Sequence, residues 1–239
     1  MRYLRFFINY SKQPHDLEIL RKLKINLGGI NKLSKERLFD ELKKLSKTNT
    51  LEKLSKDKPS LELFTMIFPE LRNIKLFSKL NSIKKNILRD EDFIFLLSLM
   101  IIDYTDNAEY FLYRFNLSKN DQKRIKIIDN FFKEKINSKS FSEDAMNKVF
   151  YFNGRQAVTD ILNFRIVSST KYQNDLLELA KSYERKEKPV LPIGADVLMS
   201  KYKIPEGKQL GVKLKIIEEE WIKNNFKITD EQIERIINN

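Results

Sequence analysis

The 239-residue chain has no cysteine, one histidine, six glycines and six prolines. Without cysteine there is no disulfide, no thiolate nucleophile and no cysteine-type zinc site. The same absence fits a reducing, cytoplasmic setting. The lone histidine, His15, follows Pro14 at a helix start and has no nucleophile or ligand near it in sequence. It reads as a capping or surface residue rather than a general base. Hairpins and tight β-turns draw on glycine and proline, so their scarcity points to helices joined by short connections. No apolar run approaches the ~20 residues of a membrane span, so no membrane partner is expected. Arg2 and Arg5 open the chain without an apolar run and small-residue cleavage site, so no signal peptide is read. Leu27-Gly-Gly-Ile30 is too short for a phosphate loop, and no serine sits in an elbow pattern.

What is present is charge and amphipathic periodicity. Lys and Arg number 45 against 33 Asp and Glu, a net charge of +12, and 41% of residues are apolar. The composition is globular and the length suits one or two domains. The charge suits a polyanion such as nucleic acid. The fold class is all-α, with no significant sheet.

The first ten residues read as an uncapped helix with Arg2 and Arg5 on one face, Leu4, Phe7 and Ile8 as its apolar stripe, and Phe6 and Tyr10 one turn apart. It is expected to be a helix cut from something longer. Helices follow over 15–24, from Ser34 as N-cap with Leu38, Leu42 and Leu45 at helical spacing, and around Leu51. Further helices are expected over 60–68 with Ser60 as cap, 70–86, 93–103 capped by Asp90, 107–115, and 118–135 from a capping box. The series continues from Ser140, over 155–163 and over 174–186. The stretch 184–192, with Pro189 and Pro192, is the clearest boundary. Beyond it Gly194, Gly207 and Gly211 fall within eighteen residues, and a helix over 207–225 carries Leu210, Leu214, Ile217 and Trp221. Thr229-Asp-Glu-Gln232 caps a last helix.

Few clusters suggest chemistry. Asp90-Glu91-Asp92 could hold a divalent metal, but ahead of an apolar helix these carboxylates read as caps at the positive end of the dipole. Glu218-Glu219-Glu220 reads as a solvated face. No residue is assigned as catalytic or as a metal ligand. The glycines of Gly194-Ala-Asp196 and of Glu206-Gly207-Lys-Gln-Leu-Gly211 differ. Glycine before a helix admits close backbone approach, and free helix N-termini attract phosphate. Lys201, Lys203, Lys208, Lys213 and Lys215 surround them, which fits a sequence-independent grip on an RNA or DNA backbone. Tight helix packing at the glycines is the alternative reading.

Three stretches together resemble one family. Arg2-Tyr-Leu-Arg-Phe-Phe-Ile-Asn-Tyr10 is similar to the arginine-rich helix that follows the catalytic domain of bacterial-type (class II) CCA-adding tRNA nucleotidyltransferases and poly(A) polymerases. Leu33-Ser-Lys-Glu-Arg-Leu-Phe-Asp-Glu-Leu-Lys-Lys-Leu45 resembles that family's neck motif at Ser34, Glu36, Arg37 and Glu41. Gly194 through Gly207, Gly211, Leu214 and Trp221 resembles the tail of the α-proteobacterial and mitochondrial-like branch, although Lys201-Tyr-Lys203 stands where a shorter glycine turn is usual. Asn153-Gly154-Arg155 with Asp160 is a weaker match in the body.

The resemblance implies a multi-helix neck over 1–58, a body over 59–187 and an RNA-binding tail over 188–239. It implies that the catalytic head, with its phosphate loop, metal-binding carboxylates and base-reading motif, is absent from this chain. Magnesium would come only with that head. The implied function is the RNA-binding part of a CCA-adding enzyme or poly(A) polymerase in tRNA 3′-end processing, inactive alone. The implied partner is tRNA or another RNA 3′ end. Arg2 and Arg5 would stand at the head–neck junction near the nucleotide. Arg155, Gly194, Asp196, Lys201, Lys203, Gly207, Lys208, Gly211 and Lys213 are the RNA-contact candidates. A subunit of a split enzyme with a separate head polypeptide, or a helical protein-binding scaffold, are the alternatives.

Overall fold

The computed structural model describes residues 1–134, 138–171 and 173–238, and among them every regular element is helical and none is a strand. In order the helices are α1 (Arg2–Tyr10), α2 (Leu17–Ile25), α3 (Lys35–Leu45), α4 (Thr48–Lys56), α5 (Lys58–Ile67), α6 (Ser82–Arg89), α7 (Phe93–Ile101) and α8 (Asn107–Arg114). They continue with α9 (Lys119–Lys133), α10 (Glu143–Asn153), α11 (Arg155–Ser168), α12 (Asn174–Tyr183), α13 (Ala195–Tyr202), α14 (Lys208–Lys223) and α15 (Asp230–Asn238). Contacts group the chain into two compact units, Met1–Lys135 with Asn163–Gln173, and Ile136–Leu162 with Asn174–Asn239. This grouping cuts across the neck, body and tail segments of the sequence and divides α11 between Leu162 and Asn163.

In the first unit the core forms around α7, where Phe95 through Ile101 are all buried. A helix apolar on every side must be enclosed on every side. Phe39 of α3 meets Phe93 edge-on at 5.4 Å, and Phe111 lies 4.7 Å from Phe115. Leu38, Leu42 and Leu45 are buried as their spacing requires. Arg114 donates to both carboxylate oxygens of Glu70 at 2.9 Å, and so ties α8 to the loop after α5.

The last turn of α9 carries a charge network around one buried carboxylate, Asp129. Lys133 Nζ reaches Glu109 at 2.8 Å, Asp129 at 3.1 Å and Asp106 at 3.2 Å. Asp129 is 2% exposed, and one of its oxygens has no hydrogen-bond partner. Burial pushes its carboxyl above the usual range in spite of Lys133. The hydrogen bond to Glu109, with those to Asp129 and Asp106, raises the Lys133 ammonium strongly.

In the second unit a core of Ile193, Leu198, Ile204, Leu210, Ile217 and Ile233 joins α13, α14 and α15. Trp221, 2% exposed, packs edge-on against Tyr151 at 5.5 Å and against Phe226 at 5.0 Å. The Tyr151 hydroxyl donates to Glu218 at 2.6 Å, and that bond with burial holds the phenol up at about 12. Glu218 is therefore engaged and not merely solvated. The buried Tyr183 hydroxyl donates to Asn147 at 2.7 Å, and Lys186 lies 4.5 Å over its ring.

Several helix ends differ from the sequence expectation because two capping residues stood close together. Asp57, not Ser60, caps α5: its carboxylate accepts from the Ser60 N–H at 3.0 Å, while Pro59 occupies the first turn. Asp92, not Asp90, caps α7 by accepting from the Phe95 N–H at 3.0 Å. Asp16, not Pro14, opens α2. Ser142 rather than Ser140 caps α10. The expected helix over 70–86 is a turn, a 3-10 segment at Ile74–Lys79 and then α6, because Asn81 accepts from the Lys84 N–H and restarts the helix there. The expected end at Lys135 lies outside the described residues. The boxes at Ser118 and Thr229 form, the latter reciprocally, with Gln232 N–H on Thr229 Oγ1 and Thr229 N–H on Gln232 Oε1.

Candidate nucleic-acid interface

Two surfaces gather the residues singled out in the sequence, one in each unit. In the first unit, a groove of about 470 Å³ runs between α1 and α3. Its lining includes Arg2, Arg37, Lys44, Asp40 and Glu41. Arg5 Nε donates to Glu41 at 3.2 Å, and Lys44 reaches the other oxygen of Glu41 at 3.2 Å. Burial alone would raise the Glu41 carboxyl, but Lys44 and Arg5 outweigh it and hold the group below its ordinary value. Glu41 is thus an anion that fixes the Arg5 guanidinium. Arg2 and Arg37 are exposed. Ser34 is the N-cap of α3, accepting from the Arg37 N–H at 3.3 Å. Glu36 sits in that first turn, where its charge favours the helix dipole. Ser34 and Glu36 shape α3, while Arg2, Arg37 and Glu41 face the groove.

The second surface surrounds the start of α14. Gly207 is its N-cap at φ +144, so the first N–H groups of the helix have no side-chain cap. A φ in that region favours glycine. Gly211 has no such φ, and a Cβ there, as at Gly207, would meet nothing within 4 Å. Neither is a packing glycine, which removes that alternative at both positions. Lys203 takes the left-handed conformation at φ 58 and closes α13. Lys203, Lys208 and Lys215 are exposed.

The other candidates on this unit have partners. Lys213 donates to the Ile237 carbonyl at 2.6 Å and to Ile236 at 3.1 Å, so its ammonium caps the C-terminus of α15. Lys201 pairs with Asp230 at 3.1 Å. Gly194 is the N-cap of α13, and Asp196 lies in its first turn. Arg155 starts α11 and donates to the Lys186 carbonyl at 3.0 Å. Asp160 is buried and accepts from Gln156 at 2.9 Å.

His15 is the residue whose setting the sequence concealed. Its side chain is 6% exposed. Nδ1 is 2.9 Å from the Tyr3 hydroxyl, and Nε2 is 2.7 Å from Asp57 and 3.1 Å from Ser60. Phe7 stacks on the ring with centroids 3.5 Å apart. It is neither a surface residue nor a cap. The serine and the aspartate meet the same ring nitrogen, and Ser60 is fully buried, so the group is not arranged as a nucleophilic triad. Its partners lie 12, 42 and 45 positions away, which is why no local pattern exposes it.

Among the described residues no group of three or more His, Asp or Glu side chains is placed to hold a metal ion. Asp92 pairs with Arg124 besides capping α7, and Asp90 is 80% exposed at the end of α6. None of the helices among the described residues is long and apolar enough to cross a membrane.

Fold and surface define a class: an all-helical, strongly basic protein with exposed lysines at an open helix start and no carboxylate cluster for metal chemistry among its described residues. The chain belongs to the tRNA nucleotidyltransferase domain 2 family, whose model matches residues 87–237. Arg2, Arg5, Ser34, Glu36, Arg37 and Glu41 lie outside the matched stretch, whereas the surface around α14 lies within it. No match was found among the curated proteins.

Proposed function

We propose that these residues hold tRNA for a tRNA nucleotidyltransferase, with the chemistry supplied by a catalytic domain outside them. The observation that carries this reading is the open start of α14, where Gly207, the exposed Gly211 and the lysines Lys203 and Lys208 lie together within the family match. Backbone phosphates of an A-form stem can approach such a surface without base recognition. The groove of Arg2, Arg37 and Glu41 would face the RNA 3′ end, with neck, body and tail as in the resembled enzymes. Magnesium for two-metal phosphoryl transfer would come with that catalytic domain.

Filter binding of tRNA over a salt series tests this. Binding should fall steeply with salt, and the Lys203→Glu/Lys208→Glu double variant should lower the slope by about 2 and weaken all tRNA sequences alike. No binding, or no salt slope, refutes the RNA reading in favour of a protein-binding scaffold. With tRNA lacking CCA, plus CTP, ATP and magnesium, these residues alone should add no nucleotide. Any addition overturns that part of the proposal. A second reading, a head supplied in trans, draws on Phe6 and Tyr10 of α1, which are 53% and 75% exposed. Adding a separately expressed family catalytic domain should then give nucleotide addition, and none appearing removes the second reading.

A further inference from the structure

We infer that His15 is a positioning residue: it seats α1 against the start of α5 and so sets where Arg2 and Arg5 stand at the groove. Asp57 is an acceptor, because it takes the Ser60 N–H at 3.0 Å as the cap of α5. Its hydrogen bonds with Ser60 and His15 outweigh burial and keep it a carboxylate. Nε2, 2.7 Å from that carboxylate, therefore carries a proton, and Nδ1 pairs with the Tyr3 hydroxyl at 2.9 Å. One ring thus joins a side chain of α1 to the capping carboxylate of α5.

Packing supports the same joint. Phe7, one turn beyond Tyr3, stacks on the imidazole and lies 5.7 Å from the Tyr3 ring. Tyr3 and Phe7 occupy one side of α1, while Arg5 reaches Glu41 of α3 from another. On α1 the only other side-chain hydrogen bond to a different helix, among the described residues, is between Asn9 and Thr50. The first turn of α1 has no side-chain cap; Leu4 is buried there, and the Arg5 pair and the His15 joint are the polar ties from this end of the helix to its neighbours. The part of this inference that concerns RNA rests on the function proposed above.

The test separates seating from packing. His15→Phe keeps an aromatic ring against Phe7 and removes both hydrogen bonds, while Tyr3→Phe removes one hydroxyl and little volume. Amide hydrogen exchange is read over Arg5–Ile8, with Phe95–Ile101 of α7 as internal reference. Both variants should speed exchange in α1 by about tenfold or more, the equivalent of one or two hydrogen bonds, and leave α7 unchanged. Unchanged α1 exchange in both variants overturns the inference. If His15→Phe does not fold, Tyr3→Phe alone decides on the same criterion. Affinity for tRNA should also fall about threefold or more as Arg2 and Arg5 lose their place. Wild-type binding with the variants unaffected refutes the positioning of the arginines. Absence of wild-type binding refutes the proposed function and leaves the exchange result to stand on its own.

Discussion

Lys133→Met is the most informative single change to the body of the first unit. The ammonium at this position answers three carboxylates, Glu109 at 2.8 Å, Asp129 at 3.1 Å and Asp106 at 3.2 Å. Asp106 and Glu109 are largely exposed and can turn to water, but Asp129 is 2% exposed and cannot. Methionine keeps most of the unbranched stem and removes the ammonium. Breaking a buried pair by removing one partner costs about 3–5 kcal/mol, and the 24% exposure of Lys133 argues for about 3 kcal/mol here. For a chain of this length that is a fall of roughly 6–12 °C in the transition that includes α9.

The pH dependence gives the sharper check. Burial already raises the Asp129 carboxyl, and removing Lys133 raises it further. A carboxyl whose folded value lies above its unfolded value favours the folded state when protonated. That stability is present below the unfolded value and is lost as pH rises through the folded one. The deficit of Lys133→Met should therefore be largest at pH 7 and shrink at pH 4.5. Adding Asp129→Asn should recover most of it at pH 7, because no buried charge is then left unpaired. Thermal unfolding followed by circular dichroism at the two pH values is sufficient. A variant melting within about 1 °C of wild type at pH 7, or with a deficit that does not shrink on acidification, refutes the reasoning.

The two glycines around α14 should behave oppositely. Gly211→Ala fills open space in a helix and should stabilise by about 0.5–1 kcal/mol, whereas Gly207→Ala forces a side chain into a glycine-favoured conformation and should destabilise by about 1–3 kcal/mol. Denaturant midpoints of the pair read both, and the same sign for both would sink the argument. Trp221→Ala removes the ring between Tyr151 and Phe226 and should cost about 3–5 kcal/mol, read as a lowered midpoint with loss of the only tryptophan signal from the unfolding of the second unit.

The helices were legible because each buries one face, and Leu38, Leu42, Leu45 and the run from Phe95 to Ile101 behave as their spacing demands. The wrong caps were near misses between neighbouring polar residues. Asp92 displaced Asp90, and Asp57 displaced Ser60, because a one-turn choice depends on which residue takes the extended conformation at the helix entry. The groove is legible in part, since the sequence singles out both Arg5 and Glu41, which stand 3.2 Å apart. Lys213 and His15 were not legible in their roles. One is claimed by carbonyls 23 and 24 positions away, the other by side chains up to 45 away, and such pairings are set by how helices pack and not by their own periodicity.

The open space over Gly211 has a practical side as well. The chain has no cysteine, so Gly211→Cys would introduce its only thiol, and there a side chain meets no neighbour within 4 Å. A spin label or fluorophore at that point would report on whatever approaches the start of α14. Its background would be silent, and the core beneath it would be left as it is.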